Sequence, residues 1–154
     1  MERATICMLT TMTADGRHMS RPMALQEVEF DGDLWFFAAS DSAKVDQVRS
    51  NPQVNVSFSN NKHSEWTSIA GAAEVVDDHG KAEQLWSPTL KAWFPDGLET
   101  PELILIKVHA DGAEYWSGPS SKLVRLIGGI RAAVTDPDKL PAENEEVTLP
   151  DSPR

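Results

Sequence analysis

Asp-Gly pairs at 15–16, 31–32 and 111–112 each stand between runs that read as strands, and this spacing restricts the chain to antiparallel, hairpin-connected strands. Thr5 to Met12 is a first strand, returned by the turn Thr13-Ala14-Asp15-Gly16-Arg17. From Met19 the apolar positions fall on odd numbers (Met19, Met23, Leu25) with Arg21 in phase, then shift to Val28 and Phe30. That change of phase predicts a bulge near Gln26 and Glu27, and it puts Arg21 on the face of the core residues. Asp31-Gly32-Asp33 turns into a strand from Leu34 to Ala39. Further strands are expected at Gln53 to Ser59, Glu65 to Val76, Glu102 to His109 and Glu114 to Ser117, the last two joined at Asp111-Gly112. Gly80 to Trp86 reads as a short helix, and Ser87-Pro88 as the N-cap and first residue of another helical turn through Trp93. Leu123, Ile127, Ile130 and Val134 form a helical stripe within Ser120 to Thr135. The expected fold is mainly β with some α: an antiparallel barrel of six to seven strands, short flanking helices and a C-terminal helix.

Chemistry points to one place in this plan. Phe36-Phe37-Ala38-Ala39 is a buried strand that passes through Ser40-Asp41-Ser42-Ala43-Lys44 into a short helix stopped by Asn51-Pro52. Free amides and the positive end of the helix dipole meet at such an entrance, and Ser42 and Lys44 add a hydroxyl and a full charge. Lysine in the first helical turn opposes the dipole, by about 0.3 to 1 kcal/mol, unless an anion sits there. The alternative is that Ser40, Asp41 and Ser42 only cap the helix while Lys44 points to solvent.

The chain has 154 residues, enough for one domain with its own core, and no apolar run approaches a membrane span. A net charge of −10 argues against nucleic-acid or anionic-membrane partners, so a phosphate-bearing ligand needs a local cluster of cations. One cysteine and an N-terminus without the features of a signal peptide fit a cytoplasmic location. Cys7 lies in an apolar strand, where a thiol behaves as a small hydrophobe. His18, His63, His79 and His109 show no ligand spacing, so no metal site is expected. Residues 1–135 read as the domain, and 136–154 as an acidic, proline-rich tail in which Val147-Thr148-Leu149 could add a short strand.

Several pieces, in order, carry a resemblance. They are Met12-x-x-Asp15-Gly16-x-x-x-Ser20-Arg21-Pro22-Met23, Leu34-Trp35-Phe36-Phe37 with Ser42-x-Lys44, Asn51-Pro52-x-Val54, the Gly71 strand, Leu85-Trp86, Trp93-Phe94-Pro95-Asp96-Gly97 and Glu114-Tyr115-Trp116. Over roughly residues 4 to 135 the chain resembles the general stress protein 26 group of the pyridoxamine 5′-phosphate oxidase-like superfamily. The resemblance implies an FMN-binding split barrel and a homodimer with flavin sites at its interface. FMN, or FAD, is the implied cofactor. Position by position, it implies that Ser42 and Lys44 bind the phosphate, that Arg21, Pro22 and Met23 run beside the flavin, and that Phe37 and Ala38 contact the ribityl chain and ring. Trp66 falls at a ligand-contact position, and Trp116 with the Trp93–Phe94 loop would reach over the ring from the partner subunit. Ala38 and Ala43 stand where relatives often carry a threonine and a second basic residue.

Each has a plainer alternative. Trp35, Trp86 and Trp116 are large enough to serve only as core or interface anchors. Arg21 could pair with Glu27 or Glu29 in an ion pair. The implied function is an FMN-binding stress-type flavoprotein, either a flavin-dependent oxidoreductase of unknown substrate and redox partner or a non-catalytic protein that stores or senses flavin. No catalytic residue is singled out. A true pyridoxamine 5′-phosphate oxidase is disfavoured, because those enzymes close with an arginine- and histidine-bearing dimerisation segment that recognises substrate, whereas this sequence reads Thr148-Leu149-Pro150-Asp151-Ser152-Pro153-Arg154 there.

Overall fold

The computed structural model describes residues 5–26 and 31–116 in full, and the main chain of 145–148. Its strands are β1 (Thr5–Met12), β2 (His18–Leu25), β3 (Asp33–Ala39), β4 (Gln53–Asn60), β5 (Glu65–Val76), β6 (Leu103–Trp116) and β7 (Glu145–Thr148). Helix α1 (Ala43–Ser50) follows β3, while α2 (His79–Leu85) and two 3₁₀ turns, Pro88–Ala92 and Gly97–Glu99, lie between β5 and β6.

The strand order is β3-β2-β1-β4-β5-β6-β7, and β3 also pairs with β6, which closes six strands into an antiparallel barrel. That closing seam runs the length of β3, from Asp33↔His109 to Ala39↔Leu103. By contrast β2 and β3 share the single registered pair Leu25↔Phe36, so the barrel parts at this seam in the manner of a split barrel. The expected bulge at Gln26 and Glu27 falls here, and Glu27 lies outside the described residues.

Side-chain period explains which strands are amphipathic. In β1, Cys7, Leu9 and Thr11 point inward and Ile6 and Met8 outward, so one face is dry and one is wet. In β3 both faces are buried: Leu34, Phe36 and Ala38 fill the barrel with Leu9, Val56, Ile69 and Ile106, whereas Trp35 and Phe37 join Ala82, Leu85, Leu90 and Leu105 in a second cluster outside it. The uninterrupted apolar run Leu34 to Ala39 follows from this double cover by the barrel and by α2 with its 3₁₀ turn. Full burial of a side chain such as Phe36 contributes about 1.5 to 3 kcal/mol.

One sequence expectation is corrected. Asp111-Gly112 does not turn the chain; β6 runs through it as one strand of 14 residues. Ala70 pairs with Gly112 and Gly71 with Ala110, which leaves Asp111 as an extra residue in a β-bulge. Gly71 permits it, because a Cβ there would stand 2.2 Å from the His109 carbonyl oxygen. Beyond the bulge β6 changes neighbours, giving up β3 and pairing Gly112 to Tyr115 with β7. The short strand expected in the acidic segment thus forms over Glu145–Thr148. The expected helix at 120–135 lies outside the described residues.

Candidate functional site

Helix α1 begins without a side-chain cap. Ser42 has extended N-cap geometry (φ −81°, ψ 146°), but its hydroxyl donates to the Ala39 carbonyl at 2.6 Å instead of accepting from the helix. The Ser42 carbonyl accepts from Val45 (3.0 Å) and more weakly from Asp46 (3.5 Å), which leaves the amides of Ala43 and Lys44 open at the entrance. The alternative in which Ser40, Asp41 and Ser42 satisfy those amides is not what this geometry shows.

Lys44 is half-buried and does not simply project into solvent. Burial holds its ammonium below the usual lysine pKa, the Arg21 guanidinium lowers it further, and Asp41 pulls the other way. Arg21 reaches the same place from β2. It pairs with Leu9 on the barrel-facing side, as its phase in the sequence requires, and burial disfavours its charge also. Its guanidinium donates to Thr11 Oγ1 (2.6 Å), to Gln47 Oε1 (3.0 Å) and, at the limit of a hydrogen bond, to the Leu9 carbonyl (3.5 Å). All three acceptors are neutral, and among the described residues no carboxylate forms an ion pair with Arg21; Glu27 and Glu29 lie outside them. Two cations therefore converge at an uncapped helix entrance, with Asp41 as partial counter-charge.

The other expected residues divide around this cluster. Pro22 is exposed on the outer face of β2 and Met23 is buried in the barrel. Phe37 and Ala38, adjacent in β3, point to opposite sides and are both buried, so at this strand end the main chain is what a ligand can meet. Phe37 is locked by an edge-on contact with Trp86 (5.5 Å, 87°) and a tilted one with Phe94 (6.4 Å, 57°). Phe94 thus belongs to its own chain's outer cluster and is not a free lid, whereas Trp93 beside it is 57% exposed. Trp66 and Trp116 face each other across β5 and β6, Trp66 41% exposed. They share the outer sheet face with Ile6, Met8 and Pro22, the two apolar groups being separated by Ser57, Ser59 and Ser68.

A cleft of about 540 Å³ opens beside the C-terminal half of α1, lined by Ser40, Val48, Arg49, Glu74 and Leu103 among others, and it includes none of the expected site residues. Its one cation, Arg49, lies 3.8 Å from Asp46, and of its two carboxylates Glu74 is held by Lys107 at 3.0 Å while Asp77 forms no ion pair among the described residues, so the cleft offers no free positive charge. The paired positive charge of the candidate site, at Arg21 and Lys44, lies outside this cleft.

Thr11 and Gln47 were not anticipated from the sequence. The signal for Thr11 was its phase with Cys7 and Leu9, a hydroxyl at a core-facing position; for Gln47 it was the spacing of three residues from Lys44 on one helix.

Closure through β3 and β6, the seam at β2 and β3 and the cationic helix entrance define a split-barrel protein. The chain belongs to the pyridoxamine 5′-phosphate oxidase like family, whose model matches residues 1–139. It is similar to the general stress FMN/FAD binding protein of Xanthomonas citri, with 32% identity over 77% of this chain and 83% of that one at a TM-score of 0.65. It is 35% identical over 117 residues to protein bli-3 of Neurospora crassa, covering 70% of this chain but only 56% of that protein. General stress protein 26 of Bacillus anthracis shares the fold, with 24% identity, coverage of 73% and 84%, and a TM-score of 0.64.

Proposed function

We propose that this chain is a flavoprotein that binds FMN with its phosphate at Arg21, Ser42 and Lys44. The observation that carries the reading is the convergence of two cations, from β2 and α1, on open helix amides, with only neutral acceptors holding the guanidinium. A phosphate monoester, close to dianionic at neutral pH, fits that donor set in charge and in hydrogen bonding. The resemblance in sequence to the Xanthomonas FMN/FAD binding protein supports a flavin as its bearer.

The ring would lie along the main chain of Phe37 and Ala38, with Trp93 and Trp116 supplied by a second copy of the chain. The exposed side chains of Ile6, Met8 and Trp66, with Trp116 half-buried opposite Trp66, support a homodimer in which that cover forms. The flavin, when bound, supplies hydride or single-electron chemistry; the protein's part is to anchor, orient and shield it. Oxidoreductase action on a small molecule in the cytoplasm is the activity proposed.

Binding of FMN and of riboflavin, measured side by side, tests the phosphate site. Wild-type protein is expected to prefer FMN by at least tenfold, and Lys44→Ala to lose most of that preference. Equal affinity of the wild type for both ligands would remove the phosphate assignment. A monomer near 17.0 kDa by light scattering that still bound flavin would remove the shared site. A steady-state assay with NADH and an electron acceptor then separates an oxidoreductase from a storage or sensing protein.

A further inference from the structure

The hydrogen bonds around Arg21 leave little freedom in how its neighbours are oriented. Thr11 Oγ1 accepts from the guanidinium and itself donates to Gln47 Oε1 at 2.5 Å. Gln47 Oε1 accepts a second bond, from the other guanidinium nitrogen, at 3.0 Å. A flipped amide would set NH₂ against the guanidinium, which has no lone pair to accept it, so the oxygen faces Arg21 and the NH₂ faces away. Among the described residues that NH₂ has no acceptor.

The placement of the three residues turns this into a clamp. Thr11 on β1 is 1% exposed in the barrel wall, Arg21 is on the neighbouring strand, and Gln47 is one turn along α1 from Lys44. The network therefore ties the guanidinium to the helix that carries the second cation. A carboxylate at position 47 could accept the same two bonds, one from Arg21 and one from Thr11, but it would cancel the charge it holds. Glutamine fixes the position and leaves the charge.

We propose that Gln47, with Thr11, is the positioning residue of the phosphate site: a neutral clamp that fixes Arg21 beside Lys44, keeps both charges free for a phosphate dianion, and leaves the Gln47 amide NH₂ as a further donor to it. This rests on the reading of the cluster as a phosphate site. It extends that reading by assigning ligand discrimination to a residue that carries no charge.

Gln47→Glu is the discriminating variant, being isosteric and able to keep both acceptor bonds. FMN affinity is expected to fall about tenfold or more while riboflavin affinity stays within about twofold. The unliganded protein should melt at a higher temperature, because the new carboxylate relieves repulsion between Arg21 and Lys44. A residue of purely structural importance would not move binding and stability in opposite directions. Thr11→Val, which keeps the shape and removes the bridge, should weaken FMN and spare riboflavin, so the test does not depend on one variant folding. An unchanged ratio of FMN to riboflavin affinity in Gln47→Glu, or equal weakening of both ligands, overturns the clamp alone. A wild-type protein that did not distinguish FMN from riboflavin would overturn the phosphate site and the clamp with it.

Discussion

Gly71 and His109 touch through their backbones: the carbonyl oxygen of His109 occupies the space a side chain at position 71 would need. The pair sits where β6 takes in its extra residue, so this close approach is part of how the barrel wall accommodates the bulge.

Gly71→Ala should accordingly be among the most damaging single-methyl changes in the chain. The obstacle is main chain, and Val108 Cγ1 stands 3.2 Å away on another side. Overpacking of this kind costs about 1 to 3 kcal/mol, which for a domain of this size lowers the melting temperature by roughly 2 to 12 °C. Thermal unfolding by circular dichroism measures it, and a variant as stable as the wild type would show that the two strands separate easily.

Replacing Lys44 by methionine is expected to stabilise the unliganded protein while removing the preference for FMN. The sign follows from linkage: a lysine whose pKa is lower in the folded state carries an unfavourable charge at neutral pH, and that penalty fades as pH rises through the folded pKa toward 10.5. Partial exposure screens the effect, so a gain of no more than about 2 to 4 °C is expected. Lys44→Met melting below the wild type at pH 7 would contradict the crowding of charge at the helix entrance.

Cys7 should resist thiol reagents until the barrel opens. Burial pushes its pKa up to about 12, and its thiol is 3.6 Å from the Met23 carbonyl. At pH 8 the thiolate fraction is then about one in ten thousand. Labelling by an aromatic disulfide should be slow in buffer and fast in urea, in step with unfolding; rapid labelling of the native protein would show that the β1–β2 wall opens readily.

Trp116→Phe, in the proposed flavin complex, should preserve FMN binding through the phosphate and change the absorption spectrum of the bound ring. Aromatic contacts of this kind are worth about 0.5 to 1.5 kcal/mol beyond area burial. An unaltered spectrum would place Trp116 away from the ring and leave it as a partner of Trp66 across the sheet.

The parts of the fold that were legible in the sequence are those governed by near neighbours. β1 and β5 were bounded as Thr5–Met12 and Glu65–Val76 by their period of two, and the first Asp-Gly turn by Gly16 at φ 84°. Asp111-Gly112 misled because a turn signal cannot report that Gly71, some forty residues earlier, offers room for the strand to continue. The seam between β3 and β6 was equally invisible, since closure depends on curvature summed over the whole sheet. At the candidate site the charges at Arg21 and Lys44 could be read from position and type. Thr11 and Gln47 could not, because their role is a hydrogen-bond geometry among residues 10 to 36 positions apart.

The change of neighbours along β6 matters for the protein's behaviour in a crowded solution. Once β3 is left behind, the second half of β6 would expose a row of unsatisfied amides and carbonyls beside Trp116, a template for strand addition by any passing chain. β7, Glu145–Thr148, fills that row with the protein's own backbone, pairing antiparallel with Gly112 to Tyr115. The acidic segment that looked like a mere appendage in composition thus supplies the backbone that completes this stretch of the sheet.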